Sequence, residues 1–212
     1  DENIFGAFTE LDFHKNMVNF DMAYVQENQG NKTDGLVIGG SNVQQFGFWN
    51  TALRFGYSRS LGDSSDIGDG VFLMGEFSRK HYPYKNIIYL NTFYKHDAFT
   101  PAAGKGAFGR NGILFAPSGM SSHTPPMGTP LSSRELGISA GYQLFMSGGR
   151  QSIVSEVSLR QGLEDEINKI GIGFKYMKAI GQRFVFTIDG YFIKPSDEDN
   201  ILGLRTELLI KL

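Results

Sequence analysis

Cysteine is absent from this sequence of 212 residues, and neither sign of charge dominates it. Without cysteine the chain has no disulfide, no thiolate metal ligand and no cysteine nucleophile. The 20 Lys and Arg stand against 22 Asp and Glu, which gives a formal net charge of −2. Because a basic excess is typical of nucleic-acid-binding proteins, we expect no nucleic-acid partner. A run of about 18 apolar residues is also missing, which argues against a transmembrane helix.

Glycine and phenylalanine are abundant instead, with 27 and 18 residues. Apolar residues alternate with small or polar ones and do not recur at helical spacing, as in 135–147, 170–177 and 202–212. Successive side chains of a β-strand point to opposite faces, so each of these segments presents one apolar face. The sequence therefore predicts an all-β protein.

Twelve segments follow this alternation and are predicted strands. They are 4–13, 17–26, 35–47, 50–60, 70–80, 86–96, 110–117, 134–146, 152–161, 169–179, 183–194 and 201–212. The connections between them alternate in length, because short turns such as 14–16 and 180–182 are followed by longer, often acidic stretches such as 61–69 and 195–200. Outer-membrane barrels show this asymmetry between periplasmic turns and external loops. We predict one antiparallel transmembrane β-barrel domain over 1–212, with about twelve strands (10–12) and a long loop at 97–133.

Charged residues within the predicted strands fall mostly on one face of each strand. A charge that faces lipid at the bilayer midplane costs roughly 2–4 kcal/mol, so we expect these residues to face the lumen. They are Asp21, Arg54, Glu76, Lys95, Glu135, Glu156, Arg160, Lys175, Asp189, Arg205 and Glu207. Apolar residues on the opposite faces are expected to face lipid: Leu136, Ile138, Tyr142, Leu144, Ile172, Phe174, Phe186, Ile188, Leu204 and Leu208. A soluble barrel of opposite polarity would produce the same alternation.

The segment 202–212, Leu-Gly-Leu-Arg-Thr-Glu-Leu-Leu-Ile-Lys-Leu, resembles the C-terminal strand of bacterial outer-membrane β-barrel proteins. In that family apolar residues alternate back from an apolar terminal residue, usually Phe, where this sequence has Leu212. The resemblance implies a location in the bacterial outer membrane, contact with its lipid and lipopolysaccharide, and insertion by the barrel-assembly machinery. It also implies possible partners among envelope-complex subunits. The chain is expected to form either a complete barrel or part of a larger one.

Three carboxylates lie among glycines in the stretch 61–69: Asp63, Asp66 and Asp69. Calcium takes six to eight oxygen ligands, and such a loop supplies several of them, although the spacing does not match an EF-hand. A divalent cation such as Ca²⁺ at this loop is therefore a candidate, and we expect no other cofactor.

The cluster Ser121, Ser122 and His123 is the strongest hydrolase candidate in the sequence. Nucleophilic catalysis needs a histidine within hydrogen-bond reach of the serine and a third group that orients it, which adjacent loop residues rarely provide. We therefore expect no enzyme but a narrow channel or a structural component of an envelope complex. The alternatives are an outer-membrane hydrolase of the phospholipase or protease type and a soluble β-barrel that binds an apolar ligand.

Overall fold

The computed structural model describes residues 2–27, 33–61, 69–81, 86–97, 134–164 and 167–210. These ranges form eleven β-strands and one short 3₁₀ turn at Ser147–Gly149. The strands are β1 (Glu2–Phe13), β2 (Asn16–Glu27), β3 (Thr33–Phe46), β4 (Trp49–Ser60), β5 (Gly70–His81), β6 (Asn86–Asp97), β7 (Glu135–Met146), β8 (Gln151–Gly162), β9 (Asn168–Ile180), β10 (Phe184–Pro195) and β11 (Ile201–Ile210). Within these ranges no helix has the length and apolar character needed to cross a membrane.

All eleven strands belong to one antiparallel sheet in which spatial order equals sequence order. This arrangement confirms the predicted all-β, antiparallel fold. Among the described residues, however, β1 pairs only with β2 and β11 only with β10, so the sheet is open and not closed into the expected barrel. An odd number of alternating strands makes β1 and β11 run in the same direction. They therefore cannot extend the antiparallel ladder by pairing with each other.

The long connection between β6 and β7 does not separate these two strands in the sheet. They pair directly, with Lys95 opposite Glu135 and Ile87 opposite Gln143. This register leaves no place between them for a strand formed by 110–117, where a meander of twelve strands would put it. The segment 110–117 itself lies outside the described residues.

Alternate connections join strand ends at the same edge of the sheet, because neighbouring strands are antiparallel. One edge carries the short connections, which are 14–15, 47–48, 82–85, 147–150 and 181–183, and we call it the short-turn edge. The opposite edge, the long-loop edge, carries 28–32, 61–69, 98–134, 163–167 and 196–200. Tight turns need residues at positive φ, which Gly47 (φ 57°) and Gly181 (φ 63°) supply at low steric cost.

The two faces of the sheet have opposite chemistry. The buried face holds apolar side chains such as Phe72 and Phe93, but it also holds the charged side chains of Glu135, Glu156 and Arg160. The exposed face is rich in Leu, Ile, Val and Phe. A water-soluble protein usually places its apolar residues inside and its charges outside, so this sheet is inverted relative to that rule.

Candidate functional site on the charged face

The strand register places every predicted lumen residue on the same face of the sheet, which we call the charged face. Residues that are directly opposite each other in a pair of strands share a face. One such row runs from Asp21 through Gly39, Gly56, Phe72 and Lys95 to Glu135. The other members of the charged face are Arg54, Glu76, Glu156, Arg160, Lys175, Asp189, Arg205 and Glu207. Because the sheet is open, their orientation toward a lumen remains a prediction.

The opposite, apolar face holds all the residues that were expected to contact lipid. Examples are Ile172, with 58% of its surface exposed, and Leu204, with 73%. Where the structure describes side chains, the Lys and Arg residues on this face lie near strand ends: Arg59, Arg79, Lys178 and Lys194. The central part of the apolar face is therefore free of these charges over the described strands.

A buried ion pair lies on the charged face where β7 begins and β8 ends, beside the long-loop edge. Arg160 Nη2 is 2.6 Å from Glu135 Oε2, and both side chains are only 1% exposed. The Arg160 guanidinium also lies over the ring of Phe93, 5.6 Å from its centroid, although β7 separates their strands. Gly137 lies directly between these two residues in the register, and its lack of a side chain permits the contact.

A second contact also reaches across β7. The Tyr89 hydroxyl donates a hydrogen bond of 2.6 Å to Glu156 Oε2. Gly141 lies between them, and a Cβ atom at that position would come within 2.1 Å of Tyr89 Cζ. The Tyr89 ring therefore occupies the space above a glycine, and this close approach requires the glycine.

Two further ion-pair groups lie on either side of this pair across the sheet. Asp189 interacts with Lys175 on β9, at 3.8 Å, and with Arg205 on β11, at 2.5 Å. On the other side Arg54 Nη2 lies 3.1 Å from Glu76 Oε2. In these three groups each acid lies beside a base, so their charges compensate locally and do not form a ring of one sign.

The structure does not assemble the candidate cation site. Asp63 and Asp66 lie outside the described residues, and Asp69 is exposed and accepts a hydrogen bond from the Ser60 N–H. Among the described residues no group of three or more His, Asp or Glu side chains is arranged to hold a metal ion. Ser121, Ser122 and His123 also lie outside the described part of the chain.

Two aromatic bands border the apolar face, and the sequence reasoning missed them. Phe13, Phe46, Trp49 and Phe184 lie at strand ends beside the short-turn edge. Tyr24, Tyr57 and Tyr94 lie near the long-loop edge. The signal was present in the sequence, since each aromatic residue occurs near an end of a predicted strand and on its apolar side.

Comparison with models of known protein families gives no match, and comparison with curated proteins gives none either. The functional argument therefore depends on the chemistry of the two faces and on the register that separates them.

Proposed function

We propose that the eleven strands form part of the wall of a bacterial outer-membrane β-barrel that acts as a narrow, non-enzymatic channel. The observation that carries this proposal is the inverted polarity of the sheet, with charges on its buried face and apolar side chains on its exposed face. Water does not favour a large continuous apolar surface, whereas the hydrocarbon core of a bilayer does. An inverted sheet is what a lipid-facing wall requires.

The aromatic bands support a membrane of ordinary thickness. Trp49 and Tyr57 border the apolar face on the same strand, with Thr51, Leu53 and Phe55 between them. Their eight-residue separation corresponds to about 26 Å along the strand, and to about 20 Å along the membrane normal at a tilt of roughly 40°. Outer-membrane barrels have an apolar band about 25 Å tall between two aromatic girdles.

The outer edges of β1 and β11 have no paired strand in the described sheet, and a lipid-facing wall requires partners for both. Unpaired backbone N–H and C=O groups of β1 and β11 would be costly in lipid, because the bilayer core offers no hydrogen-bond partner. We therefore propose that these strands form one continuous part of the wall and that further strands pair with both edges. Within this proposal β11 is also the strand that the barrel-assembly machinery would recognise.

The packing of the charged face favours a narrow passage. Tyr89, Phe93 and Arg160 fill the region around β7 with fully buried side chains, so this part of the interior admits little solvent. Lipid and lipopolysaccharide are the partners outside the wall. A structural role in an envelope complex is the other outcome, and it would be indicated by a folded barrel that passes no solute.

Single-cysteine labelling tests the wall, because the chain has no cysteine of its own. Phe174→Cys and Lys175→Cys are adjacent in β9 but belong to the apolar and charged faces. After labelling with an environment-sensitive fluorophore and reconstitution into liposomes, we expect spin-labelled lipid to quench only the probe at position 174. Equal quenching at both positions would remove the basis of the membrane assignment.

A further inference from the structure

A small hollow lies on the charged face over strands β2 to β6. Its volume is about 280 Å³, just below the range of roughly 300–1,000 Å³ that is typical of ligand pockets. Polar side chains that line it belong to Asn19, Ser41, Asn50, Arg54, Glu76 and Asn91. None of the residues assigned to the packed region around β7 takes part, so this hollow is separate from that region.

The register explains why space remains at this place. Met17, Val43, Ala52, Glu76 and Asn91 form one row across five strands. Ala52 has the smallest side chain of that row and lies between longer neighbours. In the next row Ser41 likewise lies between Asn19 and Arg54. Two small side chains surrounded by longer ones leave a depression at this place in the register.

The lining has the chemistry of a site for a neutral, hydroxyl-rich molecule. Each asparagine amide offers both donors and acceptors, and serine hydroxyls do the same. Arg54 and Glu76 contribute a guanidinium and a carboxylate that are held 3.1 Å apart, so neither sign of charge is in excess. An apolar ligand would cover the remaining donors and acceptors of the amides and hydroxyls without bonding them, at a cost of about 1–3 kcal/mol for each group left unsatisfied. A charged ligand would meet one repulsive group for each attractive one.

We propose that the hollow binds a small uncharged polyhydroxylated solute of monosaccharide size. This inference rests on the proposed channel, in which the hollow is a binding site for the solute on the inner face of the wall. The side chains of Met17 and Val43 add apolar surface beside the amides, which suits the C–H groups of a sugar ring. The Arg54–Glu76 pair supplies donors and acceptors for neighbouring hydroxyls.

The test uses three pyranose probes of similar size and different charge: D-glucose, cationic D-glucosamine and anionic D-glucuronate. Binding to the full chain in detergent micelles is measured by titration calorimetry, which requires no transport. We expect D-glucose to bind at least ten-fold more tightly than either charged analogue. Equal binding of all three probes, or tighter binding of a charged one, would overturn the proposal.

Ala52→Leu fills the hollow, and Ala140→Leu is its matched control, because Ala140 lies on the apolar face of β7. We expect Ala52→Leu to weaken D-glucose binding at least ten-fold and Ala140→Leu to leave it unchanged. If Ala52→Leu does not fold, Asn50→Leu removes a lining amide instead, and the same loss is expected. Undiminished binding in a folded variant would place the sugar elsewhere and overturn the assignment.

The two proposals fail separately. Absence of D-glucose binding to the folded chain contradicts the hollow as a binding site, while the lipid-quenching result at positions 174 and 175 is unaffected. Equal quenching at those positions contradicts the membrane wall, whatever the calorimetry shows.

Discussion

Tyr89 on β6 donates a hydrogen bond to Glu156 on β8 across the intervening strand β7, at a distance of 2.6 Å. The contact exists because the residue between them is Gly141, whose lack of a Cβ leaves room for the phenol ring. The same relation brings Arg160 over Phe93 across Gly137. Glycine on the charged face thus permits side-chain contacts between strands that are not neighbours in the sheet.

We expect Gly141→Ala to destabilise the protein by about 1–3 kcal/mol, since the new Cβ would lie only 2.1 Å from Tyr89 Cζ and would displace the ring. Gly190→Ala is the control, because its Cβ would have Leu204 Cδ1 as its nearest neighbour, at an ordinary 3.8 Å. Denaturant unfolding in micelles measures both variants. The interpretation of Gly141 fails if the two variants lose equal stability.

The buried ion pair gives a second prediction. Arg160→Met removes the guanidinium that pairs with the Glu135 carboxylate, and the Glu135 side chain is only 1% exposed. Because a buried carboxylate loses its paired charge, we expect the free energy of unfolding to fall by about 3–5 kcal/mol. Arg134 and Glu164 form a comparable pair at 3.4 Å, but their side chains are 46% and 44% exposed. Arg134→Met is therefore expected to cost less than about 1 kcal/mol. Similar losses in both variants would show that burial does not control the strength of these pairs.

Much of this sheet was predictable from local sequence because strand alternation has a period of two residues. The faces of Ile172 and Lys175 follow from their parity within one segment, whatever the neighbouring strands do. The contact between Tyr89 and Glu156 was not predictable, because it depends on the register of three strands at once. The hollow beside Ala52 depends on one row of residues from five strands, so it was not predictable either. The prediction of a closed barrel was wrong for the described strands. Alternation specifies the two faces of a sheet, but it does not specify which strands pair with its edges.

Arginine substitution compares the two faces directly. We expect Ile172→Arg to reduce the folded yield in liposomes strongly, because a lipid-facing arginine near the bilayer midplane costs roughly 2–4 kcal/mol. Gly173→Arg, one residue away, places its charge opposite Glu156 on the charged face and is expected to be tolerated better. The folded yield is measured by gel electrophoresis in SDS without heating, as the fraction of the chain that stays folded. Equal yields would contradict the assignment of the apolar face to lipid.

The two edges of the sheet should differ in their access to protease added outside intact cells. A cleavage site placed at 196–200, on the long-loop edge, is expected to be cut, because the longer connections of outer-membrane barrels lie outside the cell. The same site placed at 147–150, on the short-turn edge, is expected to resist until the outer membrane is opened. Cleavage at 147–150 in intact cells would reverse the proposed orientation.

The direct pairing of β6 with β7 leads to a prediction for the long connection between them. Lys95 lies opposite Glu135, so the strand ends that 98–134 joins are already neighbours in the sheet. A short linker is enough to span that gap. Each halving of a flexible loop lowers the free-energy cost of closing it by only about 0.6 kcal/mol. We therefore expect deletion of 101–131 to leave a folded protein with nearly unchanged stability, as measured by denaturant unfolding in micelles. If the segment narrows the passage, conductance in planar bilayers rises as well. Loss of folding would show that residues within 101–131 form part of the wall, and that the eleven strands depend on them.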